Sequence, residues 1–236
     1  MKTAIKTGLV ALCFLIALSC KKESRNLPSS SITDESATSD LVAGKYGVVT
    51  IGTQKWMARN LDVTHYRNGD KIPQVKRKPD WKALTTGAWC WYNNDSTNGA
   101  IYGKLYNWYA VNDPRGLAPA GWHVPSYWEW DTLYNFLSPY NVGGKLKDTG
   151  TIEAGTGLWY APNYRAVNKT GFTALPGGYR TQLAAFEYLG YLGYWWSSRE
   201  LGSGYAYLVR LSYDNNDLSF YTGAEGGGFS VRCIKD

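Results

Sequence analysis

Histidine and cysteine are scarce in this chain, two and four among 236 residues. His65 and His123 have no metal-ligand spacing to each other, and no CxxC or Cys/His pattern accompanies the cysteines. A zinc site or a redox centre of the usual kind is therefore excluded. Charge of one sign is also in short supply, with 25 Lys and Arg against 19 Asp and Glu. The densest basic patch, "KIPQVKRKPDWK" from Lys71 to Lys82, is broken by prolines and reads as a solvated loop. Nucleic-acid binding needs a basic stripe on a recognisable module, so no nucleic-acid partner is expected. The glycines of "GAEGGGF" and "GGK" lack the strand-to-helix context and the Lys-Ser/Thr ending of a phosphate loop. Ser197 and Ser198 have no visible base beside them. With no catalytic constellation in view, the expectation is a protein that is not an enzyme.

What is present begins at the N-terminus. Lys2 and Lys6 precede the apolar run "GLVALCFLIALSC", the n-region and h-region of a secretory signal and too short for a membrane span. "ALSC" resembles the lipobox of bacterial lipoproteins, in which the cysteine becomes the lipidated first residue. Ala17 stands where leucine is the commoner choice. The reading is a lipoprotein signal over 1–19, a lipid anchor on Cys20, a Ser/Thr-rich tether over 20–44 and a folded domain over 45–236. An ordinary signal cleaved near Ser19 or beyond is the alternative. Each buried acyl CH₂ contributes ~0.8 kcal/mol, so several chains on Cys20 hold the protein to a membrane. Loss of residues 1–19 removes Lys2 and Lys6 and lowers the formal charge from +6 to +4. The expected location is the cell envelope, as an outer-membrane lipoprotein facing the periplasm or the surface.

Cys13 leaves with the leader, so only Cys90 and Cys233 remain in the folded part, an even pair in an oxidising compartment. A disulfide between them is expected, closing a loop of ~140 residues for ~5 kcal/mol in the chain-entropy model. Two separately buried thiols are the alternative.

Residues 21–44 are polar and almost free of large apolar groups, the composition of a flexible tether. From about Lys45 aromatics and glycines take over. Val48, Val49 and Ile51 fit a strand, Gly52-Thr53-Gln54 a turn and "KWMARNL" a second strand. In "PSYWEWDTLYNFL", Ser126 and Glu129 have capping-box spacing, and Trp130, Leu133, Tyr134 and Leu137 make one helical stripe. A weaker helix is expected over Tyr102 to Val111. In "YAYLVRLSYD" the period of two sets Tyr205, Tyr207, Val209, Leu211 and Tyr213 against Ala206, Leu208, Arg210 and Ser212. "DNND" (Asp214 to Asp217) is turn chemistry, and "FSVRCIKD" turns Cys233 inward. The fold class is α+β, with few helices, short strands and long loops.

Eight blocks in order, "IGTQKWMARNL", "WCWYNND", "YGKLYNWYAV", "GWHVPSYWEWDTL", "GGKLKDTGT", "NKTGFTALPGGYR", "GYWWSS" and "GFSVRCIKD", resemble the Fibrobacter succinogenes major paralogous domain. That family occurs in secreted and surface proteins of Bacteroidetes and Fibrobacteres. The resemblance spans about Val48 to Asp236 and implies a C-type-lectin-like fold, with two helices flanking small antiparallel sheets and the chain ends close together. It does not carry function, because function lives in sites rather than folds.

The lectin analogy raises calcium, the one cofactor considered, which needs 6 to 8 oxygens. The Glu-Pro-Asn or Gln-Pro-Asp and Trp-Asn-Asp motifs of calcium-dependent sugar sites do not occur here, so no cofactor is assigned. Asp214-Asn215-Asn216-Asp217 supplies oxygens but sits where a turn is needed, and Asn93-Asn94-Asp95 reads as a loop. Formylglycine-generating enzymes and their relatives rely on active-site cysteines, or on metal ligands in some branches, and Cys90 and Cys233 are better explained as one structural pair. His123 reads as a hydrogen-bonded structural residue.

There remain 11 tryptophans and 19 tyrosines. Flat rings rimmed by Asn, Asp and Arg suit non-covalent recognition of a glycan or an envelope protein. The candidate ligand-binding residues are Trp195, Trp196, Tyr179, Arg180, Asp214 and Asn215. If "GYWWSS" is a strand, Trp195 and Trp196 point to opposite faces, one as core and the other nearer the loop surface. A structural building block without a soluble ligand is the alternative, and an enzyme acting on envelope polymers is the least favoured.

Overall fold

The computed structural model describes residues 42–236. The expected leader, the Cys20 anchor and the tether as far as residue 41 lie outside the described residues. Val42 already packs against the core, slightly ahead of the expected start of the domain.

Strand β1 (Val48–Ile51) and strand β2 (Gln54–Met57) form an antiparallel hairpin. Gly52 turns it at φ +62°, a conformation glycine adopts without steric cost. Helix α1 (Lys78–Lys82) has proline in its first turn and buries Trp81. Strand β3 (Trp89–Cys90) is followed by a loop in which Asn93 and Asn94 take positive φ. Asp95 then caps helix α2 (Ser96–Tyr102) by accepting from Thr97 N at 2.9 Å.

Strand β4 (Leu105–Tyr106) pairs with β3, and helix α3 (Trp108–Val111) follows under an Asn107 cap. The single helix expected over Tyr102 to Val111 is thus divided. Gly103 ends α2 at φ +77°, and Tyr106 exchanges backbone hydrogen bonds with Phe229. Strand β5 (Trp122–His123) leads into helix α4 (Tyr127–Leu137), where the expected capping box is formed. Its buried stripe is Trp130, Leu133 and Leu137. Helix α5 (Val142–Leu146), the hairpin of β6 (Gly177–Arg180) and β7 (Phe186–Leu189), and strands β8 (Leu192–Gly202), β9 (Tyr205–Ser212), β10 (Ser219–Ala224) and β11 (Ile234–Lys235) complete the chain. The class is α+β.

Strand β11 lies between β2 and β5 in a four-stranded sheet of order β1-β2-β11-β5, so the two ends of the domain share one sheet. His123 fastens this junction. Its Nε2 meets Glu129 Oε1 and its Nδ1 meets Asp236 Oδ1, both at 2.6 Å, while Glu129 Oε2 accepts from Ser126 N at 2.7 Å. Hydrogen bonding to Glu129, then to Asp236, raises the imidazole pKa against the opposing effect of burial. The structural reading of His123 agrees with this geometry.

The second sheet, of order β10-β9-β8, divides the core. Trp195 is opposite Val209 and Trp196 opposite Leu208. Trp195, Val209 and Leu211 join a cluster with Trp56, Trp130 and Phe172. Trp196, Ala206 and Leu208 join another with Tyr106, Trp108, Trp122 and Phe229. The two tryptophans therefore do face opposite ways, but neither approaches the surface, at 1% and 0% exposure. The expectation of one ring near the loops fails because β8 has packed layers on both sides.

The disulfide expectation is also corrected. Cys90 and Cys233 are free and buried. Cys90 belongs to the cluster of Trp81 and Leu105, whereas Cys233 belongs to that of Tyr106 and Val231. An even count states parity, not proximity. Burial pushes the Cys90 thiol up to about 12 and raises that of Cys233, so both stay protonated.

Candidate functional site

The face of β9 that bears Ala206 and Leu208 continues outward as Arg210 and Ser212, by the period of two. On β8 the matching face runs from buried Trp196 to half-buried Tyr194, the cross-strand neighbour of Arg210. On β10 it carries Tyr221, opposite Leu208. One sheet face thus grades from dry core into a cleft of about 620 Å³.

The β6–β7 hairpin supplies the facing wall. Tyr179 is paired with Glu187 across the hairpin, and its hydroxyl donates to Glu187 Oε2 at 2.7 Å. Its ring stacks on Phe229, with centroids 5.1 Å apart and planes at 6°, and meets the edge of Tyr194 at 5.2 Å. Tyr188 lies parallel to it at 6.1 Å. Tyr191, in the turn into β8, stacks on Tyr160 at 4.2 Å and meets Tyr213 edge-on at 5.2 Å. Tyr188, Tyr191 and Tyr221 are exposed, so ring faces are presented to solvent.

Polar groups sit among these rings. The Arg210 guanidinium lies 4.2 Å over Tyr221, and its buried Nε has no hydrogen-bond partner. Asp214 Oδ1 accepts from Ser212 Oγ at 2.5 Å and from Asn215 Nδ2 at 3.1 Å. Burial, and after it the Glu187 carboxylate, raises the Tyr179 phenol pKa; burial also raises that of Tyr194, with Arg210 opposing. Both therefore present neutral O–H groups at ordinary pH. A second hollow of about 280 Å³ adjoins the first and shares Tyr179 and Tyr194. Gly223 in its lining has no room for a side chain, since a Cβ would meet Leu208 Cδ2 at 2.7 Å and a Phe229 ring carbon at 3.0 Å.

The loop bearing Asp214 and Asn215 rests on Lys147. Its buried ammonium donates to the carbonyls of Tyr164, Ser212 and Asn215 at 3.0, 2.9 and 2.8 Å. Burial draws its pKa down to about 8, with Asp214 acting in the opposite sense. Among the described residues, no group of three or more His, Cys, Asp or Glu is placed to hold a metal ion.

Three of the six candidate ligand residues meet here: Tyr179, Asp214 and Asn215 line the cleft. The other three do not. Trp195 Nε1 is bonded to Asn60 Oδ1 and Trp196 Nε1 to the Tyr106 carbonyl, both at 2.8 Å in the core. Arg180 is fully buried, donating to the Val75 and Lys76 carbonyls at 2.8 and 2.9 Å between the rings of Trp81 and Phe186. It fastens a loop and cannot reach a ligand. The sequence reading missed Tyr188, Tyr191, Tyr194, Arg210, Tyr213 and Lys147. A signal existed for two of them, since the alternation that sets Trp196 beside Tyr194 and Leu208 beside Arg210 is visible in "GYWW" and "YLVR".

The family model for the Fibrobacter succinogenes major domain matches residues 49–235, nearly all of the described structure. The chain belongs to this family. The comparisons with curated proteins and with solved structures gave no match. In this Fibrobacter succinogenes major domain the cleft is built from the last third of the matched region, where the "GYWWSS" block supplies Tyr194. The "NKTGFTALPGGYR" block supplies Tyr179, and the stretch between "GYWWSS" and "GFSVRCIKD" supplies Arg210 and the Asp214 loop.

Proposed function

We propose that this domain is a non-covalent glycan-recognition module with a C-type-lectin-like fold, held at the cell envelope by lipidated Cys20. The observation that carries the reading is the tyrosine cleft. Sugars present flat C–H faces that pack on aromatic rings and hydroxyls that exchange hydrogen bonds with carboxylate, amide and guanidinium groups. Tyr188 and Tyr191 offer exposed rings, Tyr179 and Tyr194 back them, and Arg210, Asp214 and Asn215 offer the polar partners. Arg210 Nε, buried and unpartnered, is a donor that a ligand oxygen would satisfy. The adjoining hollow makes the site a trough, suited to several linked sugar units rather than one. The shared sheet of β1 and β11 supports the fold reading, because it brings the domain ends together.

The test is a printed array of bacterial-surface and plant-cell-wall oligosaccharides. Binding should strengthen from one unit to several and drop at least about tenfold in Tyr191→Ala, the loss of one stacked aromatic contact worth about 1.5 kcal/mol. An array with no signal above background sinks the reading.

A specific observation favours a protein partner as a second reading. Trp128 and Phe136 on α4, and Tyr140 just beyond it, are 62%, 62% and 77% exposed. Pull-downs from envelope extracts with Trp128→Ser and Phe136→Ser separate this surface from the cleft.

A further inference from the structure

Three backbone carbonyls converge beneath the cleft: those of Ser212 and Asn215 from the loop after β9, and that of Tyr164 from the segment beside it. Lys147 Nζ fills the point where they meet. An ammonium has three N–H donors and no acceptor capacity, so three carbonyls satisfy it completely. The Trp159 ring lies 5.4 Å from the same nitrogen. The carboxylate of Asp214 bonds to Ser212 and Asn215 rather than to the lysine. The lysine follows directly on α5, whose Gly143 N donates to the Asn216 carbonyl at 2.8 Å, so helix and loop are joined twice.

Converging carbonyl oxygens are the chemistry of a cation site. Two other buried cations repeat the arrangement. Arg180 takes the carbonyls of Val75 and Lys76, and Arg232 takes those of Met57 and Phe172 together with Asn60 Oδ1. In this strand-poor fold, side-chain cations bind loop carbonyls that no strand partner reaches. Among the described residues, Lys147 is the one that does so under the candidate site.

We propose that Lys147 is a tethered cation that shapes the ligand loop, acting there as a bound metal ion acts in calcium-dependent sugar sites, so that recognition in the cleft needs no divalent cation. The binding half of this statement rests on the glycan reading above; the loop half does not.

Amide hydrogen exchange on wild type and Lys147→Ala tests the loop half. Residues 212–217 should lose protection at least about tenfold, as expected for removing a charged hydrogen bond, while the central amides of β8 and β9 keep theirs. Propylammonium, small enough to re-enter the vacated cage, should restore the loop. Lys147→Met, which replaces bulk without charge, should not. Unchanged loop exchange in Lys147→Ala, or rescue by methionine alone, overturns the proposal.

If the alanine variant does not fold, the wild type decides. NMR of ¹⁵N-lysine-labelled protein should show the Lys147 ammonium protons in slow exchange, unlike those of surface lysines, and fast exchange overturns the proposal. For the binding half, oligosaccharides retained on the array should bind equally in EDTA. Loss in EDTA that calcium restores overturns it. Failure of every oligosaccharide to bind refutes the glycan reading and the binding half with it, while the exchange experiment still decides the role of Lys147 in the loop.

Discussion

The core and the cleft are both built from aromatic residues, but from different ones. Trp56, Trp81, Trp122, Trp130, Trp159, Trp195 and Trp196 rank among the largest fully buried side chains. The cleft is lined instead by Tyr179, Tyr188, Tyr191, Tyr194 and Tyr213. The physical difference is the polar tip. An indole N–H is a single donor that one carbonyl can satisfy in a dry site, as the Ala174 carbonyl does for Trp159 and the Ser197 carbonyl for Trp108, whereas Nε1 of Trp81, Trp122 and Trp130 is buried without a partner. A phenol both donates and accepts, and keeps its ring useful at a wet boundary. Core and cleft therefore draw on the aromatic excess in different proportions, although Tyr106 is fully buried and Trp128 on α4 is exposed.

The sharpest way to break this comparison is to truncate aromatics of each region. Trp195→Ala and Trp196→Ala should each cost about 3–5 kcal/mol of folding stability, the usual range for emptying a buried tryptophan site. For a domain of this size that lowers the melting temperature by about 10 °C, measurable by calorimetry. If either variant instead keeps its stability and loses oligosaccharide binding, the division between core and cleft is wrong. Next in size is Arg180→Leu, which strands the Val75 and Lys76 carbonyls and should cost about 2–3 kcal/mol in urea unfolding without altering the array profile. On the cleft side, Tyr191→Ala should stay within about 1 kcal/mol of wild type while oligosaccharide binding drops. A large stability loss there would make Tyr191 core after all.

How much of this arrangement the sequence discloses follows the range of the forces involved. The α4 helix is legible because Ser126 and Glu129 sit three residues apart and its stripe is local. The opposite facings of Trp195 and Trp196 are legible from strand geometry alone. Their common burial is not, since it depends on α4 covering one face of β8 and on Phe229 and Tyr106 covering the other. Arg180 looks like a rim residue because its acceptors lie more than 100 positions earlier in the chain. Tyr179, Asp214 and Asn215 are legible as a polar and aromatic rim. Lys147 is not, because nothing near it in sequence shows that three carbonyls will gather around it.

The smallest expected effect sharpens the comparison through a group outside both regions. His123 joins Asp236 at the end of the chain to Glu129 in the first turn of α4, away from the cleft. Its pKa is raised in the folded protein, mainly by the hydrogen bond to Glu129. The folded state then holds the proton more tightly than the unfolded chain does. The stabilisation is complete below the ordinary histidine value of about 6.5 and is lost as pH rises through the higher folded value. For Glu129, burial acts to raise the pKa, but bonds from His123 and Ser126 leave it lowered. Its contribution is present above the ordinary carboxylate range and is lost as pH falls through the lowered value. Urea midpoints should therefore decline as pH rises above about 6.5, and His123→Gln should flatten that decline. The phenols of Tyr179 and Tyr194 are pushed upward and away from this window. Oligosaccharide binding should consequently hold level as stability declines, up to the pH at which Lys147, its pKa drawn down to about 8, loses its proton. Binding that followed stability through the same titration would show that the terminal sheet and the cleft are coupled, and the two regions would have to be treated as one.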